Sequence, residues 1–500
     1  MADPSSRRGR STGRSPGFRR VRFVRAGGFA LAVGLLSGGA SLFMAYLPNS
    51  DSDRAEMLSA LGLNSVDELF RDVPVGLRDP KLELAPPLSE LDLISEMRRL
   101  AGRNRPLSQW DCFLGAGVYS RFIPAIVRAT IGRPEFYTAY TPYQAEASQG
   151  YLQSIFEFQS MVAELFHLDV ANASMYDVAT ATAEGALLAT LHTGRPRVLA
   201  ASTLHPEVLA VLKTYISGRG AELVQLPQHG GVTDLDSVRT ALSDGDPAVV
   251  VVSQPNFLGL LEPVAELVEL AHQAGALALV VADPIAAAVV EPPGALGADL
   301  VAADGQQLGI PPQLGGPTVG LLACRDELIR RIPGRLVGMT TDSRGCRAFC
   351  LTLQTREQHI RRERATSNIC TNHALMALAA TAYLAKMGEP GLRAVADISY
   401  RRAHHLAARL QQIPGFGLKF PDRDFLWEFV IETPVVAESL ARELAREGIL
   451  AGYPLGAVDS ELDRCLLVCT TEMTSPAAID RLITRLGRVS AASLPVGVRT

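Results

Sequence analysis

Residues 247–283 read PAVVVVSQPNFLGLLEPVAELVELAHQAGALALVVAD. Two apolar runs, 248–253 and 276–282, flank a helix-length segment, EPVAELVELAHQAG. Neither run alternates with polar residues, so a strand made from either has no face suited to water and must be covered on both sides. Outward from this unit, apolar runs recur near 169–174, 197–201, 221–226, 299–303 and 318–324. Segments such as HPEVLAVLKTYI separate them. Seven strands in strict alternation with helices predict an α/β fold, one mostly parallel sheet with helices on both faces, over roughly 200 residues.

The flanks read differently. Residues 148–167 place Ile155, Phe158, Val162 and Leu165 at helical spacing. Residues 44–125 carry short helical signals broken by proline, an N-terminal helical arm in which Asp53–Glu56 and the pair Ser65/Glu68 look like helix openings. A large domain is expected over 126–335 and a smaller α+β domain over 336–500. Helices are expected at 373–386, 397–411, 435–447 and 475–488, and strands at 426–432 and 465–470.

Residues 1–43 are set apart. They hold eight Arg against one Asp, so the rest of a chain with net charge −4 bears −11, which argues against nucleic-acid binding by the folded body. The uncharged stretch from Ala26 to Leu47 has the length of a membrane anchor or export signal. The competing reading is translation starting at Met44, which makes a membrane association unnecessary. Seven cysteines without a C-x-x-C pair read as reduced thiols of a cytoplasmic protein. Cys346/Cys350 and Cys465/Cys469 are four apart, the spacing of one helix face, but no histidine cluster accompanies them and no metal is expected.

Chemistry is expected where strands end. Asp283 closes the second quoted run; it reads either as an Asp-Pro turn or as a carboxylate able to pair with a protonated pyridine nitrogen. A pyridoxal enzyme of this layout needs a lysine one strand further on. The chain has Lys81, Lys213, Lys386 and Lys419 only, and the loop in question is DGQQLGIP, with Gln306 and Gln307. Glutamine forms no Schiff base. Residues 133–150, RPEFYTAYTPYQAEASQG, crowd Tyr137, Tyr140, Thr141, Tyr143, Gln144, Ser148 and Gln149 into one segment, suited equally to a small polar ligand and to an interface. The run Gln354–Asn368 reads as a solvated helix face with charge pairs four apart, or as a place where Arg356 and Arg361 recognise a carboxylate.

The strings WDCFLGAGVYSRFIPAIVR, RPEFYTAYTPYQAEASQG, DVANASMYD, SQPNFLGLLE, GQQLGIP, LTLQTREQHIRRERATSNICTN and LLVCTTE together resemble subunit 1 of the glycine cleavage system P-protein, from Met44 to about Val489. The resemblance implies the pyridoxal-phosphate-dependent transferase fold type I and pairing with a homologous P-protein subunit 2, as an α2β2 heterotetramer. That sister holds pyridoxal 5'-phosphate on its lysine, and Gln306 falls at the counterpart position. Together the pair decarboxylates glycine and passes the aminomethyl group to the lipoyl arm of the H-protein. The 137–150 loop is expected to reach the sister's pocket. Three departures stand out: the extra N-terminus, Val178 where glycine is usual at a degenerate phosphate cup, and Met339 where lysine is usual. Two alternatives remain: a non-catalytic scaffold of the same pair, and a self-sufficient pyridoxal enzyme using a displaced lysine such as Lys213 or Lys386.

Overall fold

The computed structural model describes residues 49–78, 80–313 and 315–493. The stretch read as anchor, export signal or upstream sequence lies outside them. Two compact units are present, one through Met97 and one from Arg98 onward.

The first unit contains helix α1 (Asp51–Ala60), whose capping box is Ser50 with Asp53, one turn ahead of the expected opening at Asp53–Glu56. The Ser50 hydroxyl accepts the Asp53 N–H at 3.2 Å and Asp53 accepts the Ser50 N–H at 2.7 Å. The second expected box does not form. Ser65 caps nothing, Glu68 accepts the Asn64 N–H at 2.9 Å, and Val66–Phe70 is a 3₁₀ stretch. Helix α2 (Glu90–Ala101) follows a proline-broken extended run.

The second unit is built on the seven expected strands: β1 (Val170–Ala171), β2 (Arg197–Ala201), β3 (Glu222–Leu226), β4 (Pro247–Gln254), β5 (Leu277–Ala282), β6 (Leu300–Asp304) and β7 (Gly320–Cys324). Their order is β1-β7-β6-β5-β4-β2-β3. The pairs among β2 to β6 are parallel, whereas β7 runs antiparallel to both neighbours. Strict alternation therefore fails twice: only the 3₁₀ turn Ala286–Ala288 lies between β5 and β6, which stay parallel, and no helix lies between β6 and β7. Residues 305–319 are too rich in glycine and proline to form a crossover helix, so the chain turns back beside β6.

Helices α3 (Gln149–Phe166), α4 (Val178–Thr193), α5 (Pro206–Ser217), α6 (Leu235–Ser243) and α7 (Val264–Gln273) lie in this unit. Helix α4 buries every residue from Ala181 to Ala189, and a Cβ on Gly185 would meet Leu279 Cδ1 at 2.6 Å. Only glycine lets this helix press so closely on β5.

Beyond the sheet, β8 (Leu336–Thr341) and β9 (Arg347–Thr352) form an antiparallel ribbon. Cys346 precedes β9 and Cys350 lies on it, so this pair sits on no helix. The expected charged helix is instead three single turns, 354–356, 358–361 and 362–364, broken where Leu353 and Arg362 adopt positive φ. The two helices expected around 373–411 are both present, as the two arms of α8 (Ala374–Leu410), separated where Gly388, two residues before Pro390, leaves helical geometry at φ 57°. A four-stranded antiparallel sheet of β10 (Gly417–Leu418), β11 (Glu428–Glu432), β12 (Tyr453–Pro454) and β13 (Cys465–Cys469), in the order β10-β11-β13-β12, ends the unit with α9 (Ala437–Arg446) and α10 (Pro476–Ser493). Cys465 and Cys469 are thus buried on a strand rather than on a helix. Among the described residues no helix is long and apolar enough to cross a membrane.

Candidate active site

The carboxyl ends of β2, β4, β5 and β6 converge on a cavity of about 100 Å³, lined by His205, Asn256, Asp283, Asp304, Gln306 and Glu428 among others. Asp283 and Gln306, singled out from sequence, do meet here. Asp283 accepts the Ile285 and Ala286 N–H groups at 2.7 and 3.1 Å, so the turn reading of this residue holds in part. Its other oxygen accepts the Gln307 amide at 2.8 Å. Gln307 in turn accepts Arg121 Nε at 2.8 Å. Gln306 is buried; it accepts the Tyr119 N–H at 2.9 Å and donates to the carbonyls of Tyr119 and Ile310 at 3.0 and 2.7 Å.

Several members of this site left no mark in the sequence reading. Glu428 on β11 accepts the Tyr119 hydroxyl at 2.6 Å and the Ala116 N–H at 2.7 Å. Burial pushes its carboxyl up to about 7 against those bonds, with nearby Asp283 adding to the rise. Burial raises Asp304 to about 6. Arg121 pairs with Glu472 at 2.9 Å, both side chains almost wholly buried. Burial and the Glu428 charge push the Tyr119 hydroxyl well above its ordinary range.

Pyridoxal phosphate does not fit this pocket. The cavity lies well under the roughly 300 Å³ at the low end of small-molecule sites. The amine donor is replaced by an amide whose groups are already bonded, and Asp283 is held by Gln307. The N-terminus of α4, where a phosphate would be held, faces carboxylates instead. Asp177 caps it through the Thr180 N–H at 2.8 Å, and Asp304 lies 3.4 Å from the Val178 N–H. Val178 adds a side chain where close backbone approach is needed.

The 137–150 segment lies elsewhere; none of its residues lines this cavity. Tyr137, Tyr140 and Tyr143 are 67%, 81% and 59% exposed, Gln144 is exposed, and Thr141 and Ser148 are half-buried. Gln149 has a structural task. Its amide exchanges hydrogen bonds with the Phe349 backbone at 2.8 and 2.9 Å, fixing the ribbon to the start of α3. Arg356 is not placed as a carboxylate reader: its guanidinium donates to the carbonyls of Leu353 at 3.1 Å, Gly334 at 2.9 Å and Ile332. Arg361 is exposed, and so is Met339.

Comparison with known proteins fits this layout. The family described as glycine cleavage system P-protein matches residues 44–486. A probable glycine dehydrogenase (decarboxylating) subunit 1 of Desulforamulus reducens is 47% identical over 448 residues, 89% of this chain and 100% of that protein. Its counterpart from Geobacillus kaustophilus is 46% identical over 444 residues, 88% of this chain and 98% of that protein. The crystal structure of a glycine decarboxylase (P-protein) of the glycine cleavage system, in inhibitor-bound form, superposes with a TM-score of 0.81 at 44% identity, covering 89% of this chain and 100% of that one. Mouse CSAD, at 13% identity and a TM-score of 0.63 over 82% of this chain and 90% of that one, shares the fold alone. The fold is that of pyridoxal-phosphate-dependent enzymes of type I, and a chain that keeps its frame and lacks its lysine belongs to the glycine cleavage system P-protein family, as subunit 1.

Proposed function

We propose that this chain is the lysine-free half of a heteromeric glycine decarboxylase and works only with a homologous subunit 2 that holds pyridoxal phosphate covalently. The observation that carries the reading is the narrow pocket without an amine: Gln306 and Gln307 close on Tyr119, Arg121 and Asp283 where an anchored cofactor needs a lysine and more space. When bound on the sister, the cofactor supplies an electron sink for loss of CO2 from glycine. Residues of this chain do the remaining work. Tyr140, Tyr143 and Gln144 position glycine or the lipoyl arm of the H-protein and keep water from the reacting carbon. The aminomethyl group then leaves on the H-protein. The pair assembles as an α2β2 heterotetramer in the cytoplasm, in keeping with seven free cysteines.

The test is exchange of bicarbonate into glycine by the reconstituted pair. Each subunit alone should be inactive. Substituting both Tyr140 and Tyr143 with Phe should lower exchange by about tenfold or more, the scale of lost positioning contacts. Undiminished exchange would leave this chain a scaffold, and decarboxylation by this chain alone would overturn the division of labour.

A further inference from the structure

Arg335 is only 6% exposed, and among the described residues no carboxylate lies within ion-pairing distance of it. Its guanidinium meets neutral acceptors instead: the Cys370 carbonyl at 2.6 Å, the Tyr143 hydroxyl at 3.3 Å and the Asn372 side-chain oxygen at 3.4 Å. Nε has no hydrogen-bond partner among the described residues. The ring of Tyr143 lies over the guanidinium, 5.6 Å from centroid to Cζ, and that tyrosine is itself 59% exposed. Asn372 is held in place by its amide, which donates to Ser174 Oγ at 2.9 Å. A cation taken out of water without a counter-charge is costly, and an anion arriving from outside would offset that cost.

We propose that Arg335 is an oxyanion-binding residue with Tyr143 as its cover, taking a carboxylate or phosphate group presented by the ligand of the assembled enzyme. A guanidinium offers Nε and Nη2 as a planar fork, the match for a two-oxygen anion; Nε is without a partner here, and the long Nη2 bond to Tyr143 is the one such an anion displaces. The surroundings draw anions in. Residues 330–364 hold nine Arg against Asp342, Glu357 and Glu363, in a chain of net charge −4. The inference deepens the role given above to the 137–150 loop and rests on it: the loop supplies the cover, and the buried cation beneath supplies the charge. Arg335 thus takes the task that sequence reading gave to Arg356 and Arg361.

The full-length chain is melted with increasing inorganic phosphate or sodium acetate, ionic strength held constant with chloride. At least one of the two should raise the melting temperature saturably. Arg335→Met should weaken that apparent affinity about tenfold or more, as removal of a buried charge partner does, and Arg335→Lys, which keeps charge without the fork, should weaken it less. Tyr143→Phe should keep the effect, since the anion replaces the hydroxyl. A response to acetate alone points to a carboxylate ligand and a response to phosphate alone to a phosphate ester. No saturable rise with either anion, or an unchanged rise in Arg335→Met, overturns the proposal; should the Met variant fail to fold, Arg335→Lys carries the same readout. The measurement needs no turnover. An anion effect lost in Arg335→Met beside undiminished exchange in the tyrosine variants would leave the site standing and remove only its assignment to the glycine reaction.

Discussion

Replacing Glu428 with Gln should stabilise the chain at pH 8 and leave it nearly unchanged at pH 4. Burial moves this carboxyl from an ordinary 4.5 up to about 7. A carboxyl whose folded pKa is raised binds its proton more tightly in the folded state. Its contribution is therefore fully present below pH 4.5 and is lost as pH rises through 7. The shift corresponds to about 3 kcal/mol at the usual 1.4 kcal/mol per unit. Glutamine keeps the contacts: its oxygen accepts the Ala116 N–H, and its amide donates to the Tyr119 hydroxyl, which turns to accept. Asp304, raised to about 6, behaves with the same sign but is present in both proteins and cancels in their difference. Urea denaturation from pH 4 to 8 should thus give a stability difference near zero at the acid end that grows to about 3 kcal/mol above pH 7. A difference that does not vary with pH, or a variant weaker than the parent at pH 8, would mean that Glu428 is ionised throughout with Arg121 as its counter-charge, and the burial argument would fail.

Two further substitutions probe the same network. Glu472→Gln leaves Arg121 buried beside a neutral amide and should cost about 3–5 kcal/mol in urea denaturation, whereas a double variant with Met at 121 and Leu at 472 should recover most of that loss. Gln306→Lys restores the amine without making room for a ring and phosphate; after incubation with pyridoxal phosphate and borohydride, peptide mass mapping should show no phosphopyridoxyl group at position 306, whatever Lys81, Lys213, Lys386 and Lys419 take up.

The sheet was legible because its strands are buried on both faces, so 248–253 and 276–282 show as unbroken apolar runs whatever packs on them. The direction of β7 was not legible. Nothing in its own residues separates it from a parallel strand, and the missing helix between Asp304 and Gly320 does not decide the matter either, since β5 and β6 are parallel with only the 3₁₀ turn Ala286–Ala288 between them. Asp283 and Gln306 were findable because they follow strand ends in order. Tyr119 and Glu428 lie 309 residues apart, and Arg121 and Glu472 lie 351 apart, so no window along the chain contains both partners. Arg356 shows the converse limit. An arginine that caps carbonyls around Pro333–Gly334 and one that reads a ligand look alike in sequence, since both need a long cation beside an irregular backbone.

The contrast between two buried arginines carries the functional argument furthest. Arg121 is 5% exposed and Arg335 6%, so both have been taken out of water to the same degree. Arg121 is answered within the chain: Glu472 neutralises it, while Gln307 and Ser399 take its other hydrogen bonds at 2.8 and 2.7 Å, leaving one Nη without a partner. It belongs to a finished piece of structure that fills the pseudo-cofactor pocket and ties residues 116–121 to the loop after β6 and to the C-terminal sheet. Arg335 is answered by carbonyl, hydroxyl and amide oxygens only, and what covers it is an exposed tyrosine of the very loop that sequence reading assigned to the partner's pocket. A pure scaffold has no need to bury an unneutralised charge under an exposed tyrosine, because an apolar residue of similar volume there would hold the fold as well or better. On the proposed reading, the uncompensated charge directs the search for function to the 137–150 loop with Arg335 beneath it rather than to the pocket the fold inherited.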